Sequence, residues 1–142
     1  LEPIEYTAAE LAWAERIRES FGDDAPDQAQ SREVEDYAVL TGYGSTDVGD
    51  VSRAVPTVSV RAATWVPGTA AHSWQAVAAS GHSYGTKGTQ HAAKAMMLAA
   101  VELYTNPQLR EEAKAEFIAA RGEDYVYESL LGDRAPPLDY RR

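Results

Sequence analysis

Thr57-Val58-Ser59-Val60-Arg61-Ala62-Ala63-Thr64-Trp65-Val66 is the stretch on which the fold class turns. β-Branched and apolar residues stand there at strand density, and Val58, Val60 and Ala62 alternate with Ser59 and Arg61, the period of a strand with one face on a core. A weaker run, 74–79, reads as a second strand or extended segment, and 37–41 as a short third ending at Gly42-Tyr43-Gly44. Helix signals flank these runs. Thr7-Ala8-Ala9-Glu10 spells a capping box, with the Thr7 hydroxyl available to the Glu10 amide and the Glu10 carboxylate reaching back. Tyr6 and Leu11 stand where a hydrophobic staple would put them. Leu11, Trp13, Ala14, Ile17 and Phe21 form an apolar face that Gly22 ends, which predicts a helix over 8–21.

Downstream of a Pro- and Asp-bearing loop at 23–30, the polar, glycine-bearing stretch Ser80 to Thr89 leads into the strongest helical pattern. Ala92, Ala93, Met96, Met97, Ala100, Val101 and Tyr104 cover a stripe wide enough to be buried on more than one side. Asn106 and Pro107 restart the chain as N-cap and first helical residue. Leu109, Ala113, Phe117 and Ala120 supply an inner face, and Gly122 stops it. The aromatic, proline-bearing tail from Tyr125 is expected to lie across a surface and pack by its rings. The order gives an α/β fold with three main helices and two or three strands, a thin sheet for so many helices.

The 142 residues suffice for one domain burying roughly 70% of the surface of its unfolded chain. A balance of 22 acidic against 13 basic residues, net charge −9, argues against nucleic-acid and anionic-membrane partners. With no cysteine, any metal must be held by imidazole and carboxylate. No apolar run approaches the ~18 residues of a membrane span, so a cytoplasmic location is expected. The absence of an initial Met fits a piece of something longer.

Polar residues gather around the apolar run. Gly44-Ser45-Thr46-Asp47-Val48-Gly49-Asp50-Val51-Ser52 precedes it, and Gly68-Thr69-Ala70-Ala71-His72-Ser73-Trp74-Gln75 follows it. Each has an ordinary reading beside a functional one. Ser45 and Thr46 suit helix N-caps, with Asp47 and Asp50 complementing the dipole. His72 follows a Pro-Gly-Thr turn after the apolar run, where α/β folds place ligands, yet spacing alone does not make it one. His82 sits in the glycine-rich stretch and His91 early in the long helix, both readable as non-functional. Gly81 to Gly88 with Lys87 suits an anion at a helix start. Neither a nucleophile elbow nor a dinucleotide fingerprint is present.

Taken together, Tyr6-Thr7 with Glu10-Leu11 and Ala14, the Gly44 to Ser52 run, Val55-Pro56-Thr57, Gly68-Thr69, His72 to Gln75, Lys87-Gly88 and Ala92-Ala93-Lys94 resemble a known pattern. It is that of the C-terminal part of p-aminobenzoyl-glutamate hydrolases, in their B-type form, within the metal-dependent aminoacylase and carboxypeptidase family. The resemblance implies that residues 1–142 are the C-terminal segment of a three-layer αβα catalytic domain, after an inserted dimerisation domain. It implies two zinc or manganese ions in the full-length enzyme, with most ligands and the catalytic Glu outside this segment. The substrate is then a small amide, p-aminobenzoyl-glutamate or a related N-acyl amino acid, cleaved by metal-activated water. The partners are the rest of the catalytic domain and a homodimer or heteromer mate. His72 matches the family's late histidine ligand. Ser45, Thr46 and Asp47 match a loop that shapes the site or contacts substrate, which Asp50 caps or orients. Arg53 departs from an aromatic residue in relatives, and Ala70-Ala71 from Pro and Gly. The segment alone is expected to be inactive. The alternative is a non-catalytic α/β binding or assembly module.

Overall fold

The computed structural model describes residues 1–34, 36, 44 and 46–139. Five α-helices form among them: α1 (Ala8–Arg18), α2 (Val48–Ala54), α3 (Trp74–Ser80), α4 (Ser83–Thr105) and α5 (Pro107–Arg121). Two 3₁₀ segments, Glu19–Asp24 and Gln28–Arg32, follow α1. The chain divides into two units, one of Leu1–Leu40 and Ser59–Thr105, the other of Thr41–Val58 and Asn106–Arg142.

The first unit holds the core. Thr7 closes α1 with its capping box: its hydroxyl accepts from the Glu10 amide at 3.2 Å, and the Glu10 carboxylate accepts from the Thr7 amide at 2.7 Å. Ala14 and Ile17 of α1 are buried against Val66 and Tyr84, with Tyr6, Trp13, Phe21 and Ala78 packed around them. Leu11, expected on the inner face, is 40% exposed. Tyr6 instead stacks on Tyr84 with ring centroids 4.2 Å apart. Val66–Thr69 forms a turn closed by the Thr69 amide on the Val66 carbonyl at 3.1 Å. Gly68 holds φ +93 there, and a Cβ would meet Pro26 and Phe21, so the turn needs glycine twice over.

The expected α/β fold is overturned: the described residues are helical and contain no strand. The Thr57 to Val66 run is neither helix nor strand, and Val58 and Val60 are exposed while Val66 is buried. Its β-branched residues set only a local preference, which becomes a strand when a neighbour supplies the ladder. The second expected strand is α3. Ser73 caps it by accepting from the Ala76 amide at 3.2 Å, and alanine-rich sequence favours the helix so started. The third, 37–41, lies outside the described residues.

Helix α4 starts earlier than expected, and the glycine-bearing stretch belongs to it from Ser83 onward. Gly85 and Gly88 are buried, and a Cβ on either would collide with backbone, of Ala79 and Thr64 for the first and of Ala63 and Thr64 for the second. These glycines are contact points, at which α4 lies directly on the 63–64 backbone. The apolar stripe of α4 is not covered on two sides: Met96 is 62% exposed and Met97 71%.

The second unit contains α2, α5 and the tail. Asn106 caps α5 by accepting from the Leu109 amide at 3.1 Å, Pro107 is its first residue, and Gly122 ends it, as the sequence indicates. In the tail, expected to pack by its rings, the Tyr125 ring lies beside the Arg121 guanidinium, whereas Tyr127 is exposed and is held by its hydroxyl, which donates to Asp50 at 3.0 Å. Neither α2 nor α5 carries a buried residue. No helix among the described residues is long and apolar enough to cross a membrane.

Candidate functional site

The sequence-selected residues fall in both units. Ser45 lies outside the described residues. Thr46 and Asp47 open α2 in the second unit, and His72 belongs to the first. The Thr46 hydroxyl accepts from the Val48 amide at 3.3 Å, the capping role open to it from sequence. Asp47 is the N-cap residue without a side-chain cap bond and is exposed, which leaves its carboxylate available. Asp50 orients the tail by accepting from the Tyr127 hydroxyl, and this bond raises the Tyr127 pKa.

His72 is exposed and sits at φ +61, a left-handed conformation that disfavours side chains with a Cβ. Its neighbour fixes the turn. The Ser73 hydroxyl donates to the Ala70 carbonyl at 2.7 Å while accepting from the Ala76 amide, so the backbone on both sides of His72 is tied to the start of α3. A strained non-glycine residue on a rigid turn, with its imidazole presented to solvent, is the kind of outlier found at ligand sites.

The other two histidines differ. The His82 ring stacks on Trp13 with centroids 4.0 Å apart, and its Nδ1 accepts from the Tyr84 amide at 3.1 Å, capping the start of α4. Its ring proton is therefore on Nε2. His91 lies inside α4, two turns past its start. Lys87, expected near an anion, is taken up elsewhere.

Sequence reasoning passed over the most shielded charge among the described residues. Glu10 is 5% exposed, and its carboxylate accepts from Lys87 Nζ at 2.6 Å, Ser83 Oγ at 2.7 Å and the Thr7 amide. Lys87 also donates to the Glu5 carbonyl. The Lys87 ammonium first, then the Ser83 hydroxyl and Thr7 amide, hold the Glu10 carboxyl down at about 2. A carboxylate so fully used cannot serve as a general base. It ties α1 to α4. Burial raises the Tyr6 hydroxyl well above the usual phenol range beside it. No signal in the sequence joins Glu10 to residues more than 70 positions away.

No three His, Asp or Glu side chains among the described residues come together as a metal-holding group. His72 by itself is one donor, and a two-metal centre does not fit the described residues alone.

Over 88 residues, 61% of the chain, the sequence is 35% identical to the B-type subunit of p-aminobenzoyl-glutamate hydrolase from Escherichia coli (strain K12). The matched region covers 18% of that protein, so the chain spans under a fifth of the relative's length. No protein-family model matches the chain. No solved structure matches it.

Proposed function

We propose that residues 1–142 are the C-terminal segment of the catalytic domain of a metal-dependent amidohydrolase, following an inserted dimerisation domain. The intact enzyme cleaves the amide bond of p-aminobenzoyl-glutamate or a related N-acyl amino acid. The observation that carries this reading is the 35% identity over 88 residues to the p-aminobenzoyl-glutamate hydrolase chain. The strained, exposed, rigidly flanked His72 supports it independently. In this reading His72 gives one imidazole to a zinc or manganese ion, and the remaining ligands come from polypeptide outside this chain. Such ions supply a bound water of lowered pKa. Ser45, Thr46 and Asp47 contact the substrate, and no proton transfer is assigned to them. The rest of the catalytic domain covers the exposed apolar side of α4, and the enzyme works as a homodimer or heteromer.

The test uses the longer polypeptide that contains this segment. His72→Ala is expected to lower the bound metal by about one ion per chain and slow p-aminobenzoate release at least ~100-fold. His91→Ala leaves both unchanged. Full metal content and an unaltered rate in His72→Ala would remove the ligand assignment.

A second reading, a non-catalytic assembly module, is favoured by the exposed Met96, Met97, Leu98 and Val101 of α4. A longer polypeptide that binds a partner protein through α4 and hydrolyses neither p-aminobenzoyl-glutamate nor any other N-acyl amino acid would favour it over the enzyme.

A further inference from the structure

Within the second unit, Ser52, Arg53, Phe117, Ala120 and Arg121 line a cavity of about 250 Å³. Two arginines are among the residues that line it, and its lining contains no carboxylate, in a chain of net charge −9. Neither arginine is in an ion pair among the described residues. Arg121 is oriented in advance: its guanidinium lies over the Phe117 ring at 4.5 Å and beside Tyr125 at 5.5 Å, and one terminal nitrogen donates to the Arg53 carbonyl at 3.4 Å. Its Nε is buried and has no hydrogen-bond partner. A buried donor on a charged group left unpaired is costly, while the terminal nitrogens of a guanidinium can pair with a carboxylate.

Each arginine stands in the last turn of its helix, where a cation complements the dipole. That accounts for a positive charge at each helix end. It does not account for both arginines lining one cavity, or for the orphaned Nε.

We infer that this cavity is a carboxylate-binding pocket in which Arg53 and Arg121 hold a carboxylate of the amino-acid half of the amide substrate. Arg121 offers a planar fork and Arg53 a second charge. Thr46 and Asp47 open α2 and Arg53 lies near its end, about 9 Å along the axis at 1.5 Å per residue, a span comparable to an N-acyl amino acid. The identity of the carboxylate as substrate rests on the proposed amidohydrolase function, whereas the pocket's affinity for carboxylates does not.

The test titrates the 142-residue chain with glutarate and with its uncharged counterpart glutaramide, followed by backbone and arginine side-chain NMR. Glutarate is expected to saturate in the millimolar range with shifts at Ser52, Arg53 and Arg121, and glutaramide to leave them unmoved. Arg53→Gln and Arg121→Gln each weaken glutarate at least about tenfold. Because Arg121 also holds the Arg53 carbonyl, Arg121→Gln can disturb folding, and Arg53→Gln then carries the test through a side chain with no hydrogen bond or ion pair among the described residues. Absence of saturation, equal affinity in Arg53→Gln, or equal response to glutaramide overturns the pocket. In the longer polypeptide, Arg53→Gln is expected to raise KM for p-aminobenzoyl-glutamate about tenfold with kcat little changed. Arg53-dependent glutarate binding without any hydrolysis of N-acyl amino acids would leave the pocket and remove the proposed function. Hydrolysis without such binding does the reverse.

Discussion

Glu10 accepts from a lysine, a hydroxyl and a backbone amide, and its carboxyl is held at about 2 instead of near 4.5. The folded chain therefore binds this proton more weakly than the unfolded chain does. A depressed folded-state pKa contributes stability that is complete above the unfolded value and lost as pH falls through 4.5 toward 2. The stability difference between the native chain and Glu10→Gln should accordingly be level from pH 7 to about 5 and shrink below it, as read from urea midpoints across pH. Lys87→Met strands the carboxylate and should cost about 3 kcal/mol at pH 7 by the same measurement. His72 gives the opposite expectation. His72→Gly relieves a positive φ and makes the unfolded chain more flexible, so urea denaturation should change by less than about 1 kcal/mol. At this scale the sequence was readable where partners are local. Thr7 and Glu10 are three residues apart and their box was visible, while Ser83 and Lys87 complete the same site from a distant helix and left no trace in spacing.

Helices with a cap written beside them were legible: α1 from Thr7 and α5 from Asn106 and Pro107. The Thr57 to Val66 run was misread because alternation is a property of the segment alone, whereas a strand is a property of two segments. Glycine misled in the other direction. Gly85 and Gly88 looked like loop residues, yet they let α4 lie on the 63–64 backbone, a reason for glycine that only the neighbour reveals. Two helical glycines therefore separate the effects. Gly88→Ala should destabilise by about 1–3 kcal/mol through collision with Ala63, while Gly49→Ala, with nothing within 4 Å of its new methyl, should be neutral or stabilise by up to about 1 kcal/mol. Paired urea denaturation curves check both.

At the scale of the molecule, the buried apolar side chains among the described residues are Ala14, Ile17, Val66, Ala76, Ala79 and Tyr84, all in the first unit. The described residues of the second unit include none, and much of the apolar side of α4 faces outward. So little burial leaves apolar surface for other polypeptide to cover, which agrees with the match to under a fifth of a longer hydrolase. The candidate site residues were chosen from the sequence by residue type, and His72 stands out in the structure by its positive φ. What the sequence could not supply was the pairing of Arg53 with Arg121, 68 residues apart. The central claim is that this segment belongs to an amidohydrolase and works only within it. Release of p-aminobenzoate from p-aminobenzoyl-glutamate, measured side by side for the 142-residue chain and for the longer polypeptide with zinc or manganese supplied, tests it most directly. The prediction is background release from the segment and sustained turnover by the longer polypeptide. Equal turnover by the segment alone, or none by the longer polypeptide, would contradict the account.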